Sequence, residues 1–207
     1  MPGPQTARLT AKGEATRRRI VEGAAEVLRE QGVAVTTLDD VRSRTGTSKS
    51  QLFHYFPDGK EALLLAVARY EADRVIDDQM PHLARLDSWE AWHRWRDAVV
   101  ERYEAQGDHC PMSALFLHIG RQHPGTRAVV VELLRRWQED LGAGIRALQA
   151  NGLLPPSLDV DQAAAAMLAA VQGGVSIMLS TGSSLHLRAA LDWGILQLRA
   201  AGGAAVA

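Results

Sequence analysis

The segment VTTLDDVRSRTGTSKSQLFHYFPDGKEALL, Val35 to Leu64, constrains the chain most. Two short helical patterns meet in it at Thr45-Gly46-Thr47. Thr37 lies three residues before Asp40, and Ser48 three before Gln51. At that spacing a hydroxyl caps a helix N-terminus while the later side chain reaches back. Leu38 and Val41 supply the apolar side of the first helix; Leu52, Phe53 and Phe56 supply that of the second. Gly46 tolerates the positive φ of a tight turn, and Pro57 stops the second helix. Each pattern is one to two turns long and cannot persist alone in water. A chain built on this stretch must hold it with longer helices.

Such helices are written on either side. Residues 1–13 read as a mobile basic tail, and from Glu14 to Gln31 Ile20, Ala24, Val27 and Leu28 share a face, with Gly32 as a stop. Asp58 and Glu61 again have capping spacing, and the helix beyond carries Leu63, Leu64, Val67 and Tyr70 to about Asp77. Further on, Ser88 caps a helix with a Trp92, Trp95, Val99, Tyr103 stripe. Residues 112–122 form a short helix, and Pro124 opens a long one bearing Val130, Leu134, Trp137, Leu141, Ile145 and Leu148 up to Asn151-Gly152. Asp159 or Asp161 starts an Ala-rich helix reaching about Ser180. The last helix carries Leu187, Leu191, Ile195 and Leu198 before a frayed tail. The pattern predicts an all-α fold of about nine helices: a small three-helix head over 1–60 and a helical body over 61–207.

Charge follows that division. Residues 1–60 hold ten Lys/Arg against seven Asp/Glu, a net +3, leaving −4 on the remainder of a chain whose total is −1. A basic head on an acidic body suits a small polyanion-binding unit. The single cysteine, Cys110, excludes an intramolecular disulfide framework. The N-terminus lacks the apolar core of a secretory signal, so a cytoplasmic location is expected. Ala163 to Ser180 is nearly free of polar side chains. It is Ala-rich, contains Gln172 and Gly173-Gly174, and has no flanking basic cluster, which predicts a buried helix and no membrane span.

A major groove admits one helix, with the preceding helix braced across the backbone. Lys49 can reach guanine acceptors, and Gln51 can bond adenine through both amide atoms. Arg17 to Arg19 read either as a solvated helix start or as phosphate contacts. The candidate DNA-facing set is Arg17, Thr37, Thr47, Ser48, Lys49, Gln51, His54, Tyr55 and Lys60. On the pattern alone a plain αα-hairpin competes with a helix-turn-helix.

The flanking residues resemble the tetracycline-repressor (TetR) family. The likeness covers about 45 residues: Thr37-Leu38, Gly46, Ser48, Leu52-Phe53-His54-Tyr55-Phe56, and Lys60 followed by Leu63. Phe53 stands where that family more often has Tyr, and the Pro-Asp-Gly insert before Lys60 is one residue longer than the commonest form. The resemblance implies that Tyr55 and Lys60 touch phosphates and that Phe53 and Phe56 pack the head. In the body, the CPMSAL stretch at 110–115 and the helix containing Gln172-Gly173-Gly174 resemble one branch of the family. By that likeness the helices over 88–150 enclose a ligand cavity, and the last two form a four-helix bundle with a second subunit.

The residues of the body point the same way on physical grounds. Small residues at Ala165, Ala169, Gly173 and Gly174 permit close helix approach, and a dimer supplies the missing cover. Leu187, Leu191 and Ile195 join them as the expected interface. Trp92, Trp95, Val99, Met112, Phe116, Trp137 and Gln172 are either plain core or the lining of a cavity for an apolar or aromatic effector. His109-Cys110, His118 and His123 match no zinc-ligand spacing, and no phosphate loop, nucleophile elbow or His-Glu-x-x-His is present. The chain is therefore expected to need no cofactor or metal and not to be an enzyme. It is expected to be a homodimeric, ligand-responsive regulator, commonly a repressor, on a palindromic double-stranded DNA operator. The competing readings are a constitutive regulator whose body only dimerises, and a helical small-molecule carrier or enzyme.

Overall fold

The computed structural model describes residues 9–107 and 124–203, and eight α-helices lie within them. The head contains α1 (Ala11–Gln31), α2 (Leu38–Thr45) and α3 (Lys49–Tyr55). Then come α4 (Lys60–Asp77), a 3-10 turn at Leu83–Arg85, and α5 (Trp89–Gln106). The remaining helices are α6 (Pro124–Ala150), α7 (Val160–Thr181) and α8 (Leu185–Gly203). The short helix expected over 112–122 lies outside the described residues.

Several helix boundaries differ from the sequence expectation. The first helix begins at Ala11, not Glu14, because the Thr10 hydroxyl accepts the Gly13 N–H at 3.2 Å. Asp58 does not cap α4. Gly59 takes that position with φ +66° and makes no side-chain cap. The last helix runs on to Gly203 through part of the tail expected to fray. Both capping boxes of the head are formed as their spacing predicts, and Gly46 sits at φ +60°, ψ +31°.

In the head, α1 packs on α2 and α4 around Ile20, Ala24, Val41, Leu52, Phe56 and Val67, all nearly inaccessible to solvent. Phe53, expected in this core, is 39% exposed; one turn of helix cannot point Leu52, Phe53 and Phe56 inward together. The body stacks α4 on α6, α6 on α7, and α7 on α8, with α5 against α8. Along α6 the buried stripe is Leu133, Trp137, Leu141, Ile145 and Leu148, while Val130 and Leu134 are half-buried. By length and composition α7 could cross a membrane, with mean hydropathy 1.6. Here its buried positions, Met167, Leu168, Val171, Gly174, Val175 and Met178, pack within the body.

One tight approach in the body is at Gly174, where a Cβ would stand 2.5 Å from the Leu187 Cα. No side-chain rotation relieves a clash with main chain. Gly174→Ala is expected to lower stability by about 1–3 kcal/mol, despite the better helix propensity of Ala, read by urea or thermal unfolding.

Candidate nucleic-acid interface

α3 presents its first turn and its outer face. The Ser48 hydroxyl accepts the Gln51 N–H at 3.2 Å, and the Ser48 N–H donates to Gln51 Oε1 at 3.1 Å. That reciprocal cap engages one lone pair of the Gln51 amide oxygen and leaves the second, with Nε2, for an adenine edge. Gln51 is exposed, so its amide remains open to a base edge from this capped position. Thr47 is corrected: it is 4% exposed, with its hydroxyl 2.8 Å from that of Thr45 inside the turn. Thr37 is exposed, but its hydroxyl and its N–H both donate to Asp40 Oδ2, at 2.7 and 2.8 Å. These bonds hold the Asp40 carboxyl below its ordinary pKa. Lys49 and His54 are exposed.

The C-terminal end of α3 rests on the start of α1. His54 and Tyr55 rings meet edge-on at 4.9 Å, and the Tyr55 hydroxyl lies against Gly13. The Arg17 guanidinium stands 5.3 Å over the Phe56 ring. Arg18 and Arg19 continue along α1 and are exposed, as is Lys12. Among the described residues, Lys12, Arg17, Arg18, Arg19 and Lys49 form no ion pair.

The other described cations of the head are used internally. Arg44 of α2 bridges Glu26 at 3.2 Å and Glu30 at 2.5 Å on α1, and Arg42 pairs with Asp39. Arg29 pairs with the buried Glu71. Lys60, expected at a phosphate, instead donates from Nζ to the carbonyls of Val33 at 3.2 Å and Thr36 at 2.6 Å. It closes the loop between α1 and α2 by supplying a donor to these two carbonyls. The sequence offered no signal for this, since only the fold brings residue 60 beside residues 33 and 36.

In the body, the aromatic stripe is core. Trp92, Trp95 and Trp137 are 0% exposed and Val99 is 1% exposed. Trp92 and Trp95 meet edge-on at 5.7 Å; their N–H groups donate to the Leu86 carbonyl and to Gln79 Oε1. The recess beside Val99 and Tyr103 has about 10 Å³ of solvent-accessible space, room for roughly one water. The Trp137 Nε1 and Gln172 Nε2 atoms are buried and have no hydrogen-bond partner among the described residues. A separate cleft of about 400 Å³ opens between α4 and α6, lined by Ala72, Val129, Leu133, Arg69 and Arg136 among others. Met112 and Phe116 lie outside the described residues. The interface residues divide as well: Leu187, Leu191 and Ile195 are buried within the chain, whereas Ala165, Ala169 and Gly173 are open. No cluster of three potential metal ligands occurs among the described residues.

Comparison with known proteins agrees with this geometry. Residues 20–67 match the family model for bacterial regulatory proteins of the tetR family, and residues 83–193 match the tetracyclin repressor-like C-terminal domain. An HTH-type transcriptional regulator of Mycobacterium tuberculosis is 27% identical over 121 residues, spanning 56% of this chain and 59% of that protein. The HTH-type transcriptional regulator SrpR of Pseudomonas putida is 30% identical over 155 residues, spanning 72% of this chain and 68% of its own. A TetR transcriptional regulator from Chloroflexus aurantiacus has the same fold, with a TM-score of 0.76 at 24% identity over 90% of this chain and 96% of that one. The chain belongs to the TetR family.

Lys60→Ala separates a structural lysine from a phosphate ligand. The expected result is a head destabilised by about 2 kcal/mol in thermal unfolding, because the charge-assisted hydrogen bonds to Val33 and Thr36 are removed. The slope of log affinity for DNA against log salt is expected to stay unchanged, because two loop carbonyls already hold the ammonium.

Proposed function

We propose that this chain is a DNA-binding transcriptional regulator, commonly a repressor in such families, acting as a homodimer on a palindromic operator. The observation that carries the reading is the sorting of the head's cations. Those of α2 and the loop-closing Lys60 are tied to protein groups, while Lys12, Arg17, Arg18, Arg19 and Lys49 are left for phosphates around an exposed α3. Lys49, Ser48, His54 and Gln51 Nε2 are the proposed base readers; Tyr55 and the α1 arginines position the head. Residues 1–60 form the DNA-binding unit and 61–207 the body in this reading.

A second copy is the proposed occupant of the open face of α7 and α8. Ala165, Ala169, Gly173 and Ile177 line α7; Leu185 (66% exposed), Trp193 (63%) and Leu196 (52%) line α8. The register set by Gly174 against Leu187, and by Gly194 against Met167, brings Ile177 level with Leu185 and Ala165 level with Leu196. These residues thus form one continuous apolar stripe, the kind of exposed patch that marks an interaction surface. It takes the place of Leu187, Leu191 and Ile195, which are already occupied. Trp193→Glu is expected to yield monomers in analytical ultracentrifugation and to weaken operator binding at least tenfold. A Trp193→Glu protein that stays dimeric overturns this interface.

Release by a small effector is proposed with them. Its support is the pair of buried donors without a partner among the described residues, Trp137 Nε1 and Gln172 Nε2, which favour an apolar ligand bearing an acceptor. The close packing of Trp92, Trp95 and Trp137 favours the alternative of a constitutive regulator. A thermal-shift and operator-release screen of apolar and aromatic metabolites decides between them, since binding that favours one state must stabilise it.

Salt titration tests the DNA reading itself. Affinity is expected to fall with a log–log slope of about −0.9 per neutralised phosphate, and Arg18→Ala or Arg19→Ala to flatten that slope by about 0.9 for each phosphate the arginine had neutralised. Binding without sequence preference at moderate salt overturns the regulator reading.

A further inference from the structure

Glu71 is the one carboxylate of α4 that is almost wholly buried, with 1% of its side chain exposed. One oxygen accepts a hydrogen bond from Arg29 in the last turn of α1. The other, Oε2, has no hydrogen-bond partner among the described residues and lies 3.6 Å from Arg74, one turn further along α4. Arg74 is also held over the Tyr70 ring at 5.7 Å. One buried carboxylate therefore lies between a guanidinium of the head and a guanidinium of its own helix, bonded to the first and unbonded to the second.

Stability does not explain this arrangement. A buried ion pair contributes no more than a well-packed apolar pair of similar size, because desolvation offsets the attraction. What a hydrogen-bonded ion pair adds is direction. The pair grips α1 at its C-terminal end, whereas Arg17 to Arg19 and the α3 contacts lie at the other end. At 1.5 Å per residue, Arg17 and Arg29 are roughly 18 Å apart along the axis. A tilt of about 10° at the grip moves the DNA end by roughly 3 Å, close to the 3.4 Å step between bases.

We propose that Glu71 is a positioning residue for DNA binding: paired with Arg29, it sets the angle at which α4 carries the head, and exchange toward Arg74 releases that angle. The inference rests on the proposed DNA-binding function. It assigns the head–body coupling to a named three-residue contact, Arg29–Glu71–Arg74.

The test uses the full-length protein and the DNA sequence that the wild type selects from a random pool, with Glu71→Gln, Arg74→Met and the double variant R29M/E71M. The double variant removes both charges, so no unpaired ion is left to unfold the protein. Its melting temperature is expected to match or exceed that of the wild type. Its affinity for the selected sequence is expected to drop at least tenfold, and its affinity for unrelated DNA to stay within twofold. Glu71→Gln, if it folds, shifts in the same direction, and Arg74→Met keeps wild-type affinity. A well-folded R29M/E71M that binds the selected sequence like wild type overturns the proposal, as does an Arg74→Met drop in affinity equal to that of the double variant. If the wild type selects no sequence, the functional reading has failed, and hydrogen exchange then decides the coupling. Faster exchange across α1 to α3 in R29M/E71M, with α5 to α8 unchanged, supports it; equal protection overturns it.

Discussion

The anchoring of α4 is the constraint on which the rest depends. The helices α2 and α3 are eight and seven residues long and cannot stand without α1 and the start of α4. The same α4 is tied to every layer it meets. Glu71 joins it to α1, Asp73 to Arg136 of α6 at 3.1 Å, and Asp78 to Arg102 of α5 at 2.5 Å. Gln79, just beyond its end, receives the Trp95 indole N–H while donating to the Val75 carbonyl. Directional polar contacts on an apolar packing surface thus fix this helix to both lobes.

Burial of Glu71 has an electrostatic cost that its neighbours only partly offset. Desolvation pushes its carboxyl above the ordinary pKa, against the opposing pull of Arg29 and Arg74. Asp40 behaves in the opposite way. That carboxylate is exposed, its hydrogen bonds come from the Thr37 hydroxyl and N–H, and it is shifted downward. The same functional group serves as a local helix cap in one place and as a long-range tie in the other.

Much of the head was legible in the sequence because its determinants are local. The two capping boxes, the Gly46 turn and the alternation of apolar positions each act within four residues, and all of them form. Tertiary distance is what hid the rest. Lys60 looked like a phosphate ligand until the loop between α1 and α2 was seen to offer it two carbonyls. Thr47 looked like a base reader until the turn closed over it. Arg29 and Arg44 counted toward a basic head in the charge sum, yet they are neutralised by Glu71 and by Glu26 with Glu30. Net charge per segment cannot distinguish a cation that is free from one already paired.

The body shows the same limit in its packing. Periodicity identified the apolar positions of α5 to α8, because hydrophobic spacing alone states which residues leave water. It could not state which neighbour covers them: Leu187, Leu191 and Ile195 are covered by the chain's own core, and Leu185, Trp193 and Leu196 on the other side of α8 are not. Nor could it separate core tryptophans from pocket tryptophans, since both need the same spacing. The sequence by itself determined an all-α chain with a capped helix-turn-helix, through interactions a few residues apart. Only the tertiary structure decided which cations stay free, which apolar face stays open and which carboxylate links head to body. Those properties depend on pairs of residues that meet only when distant helices pack.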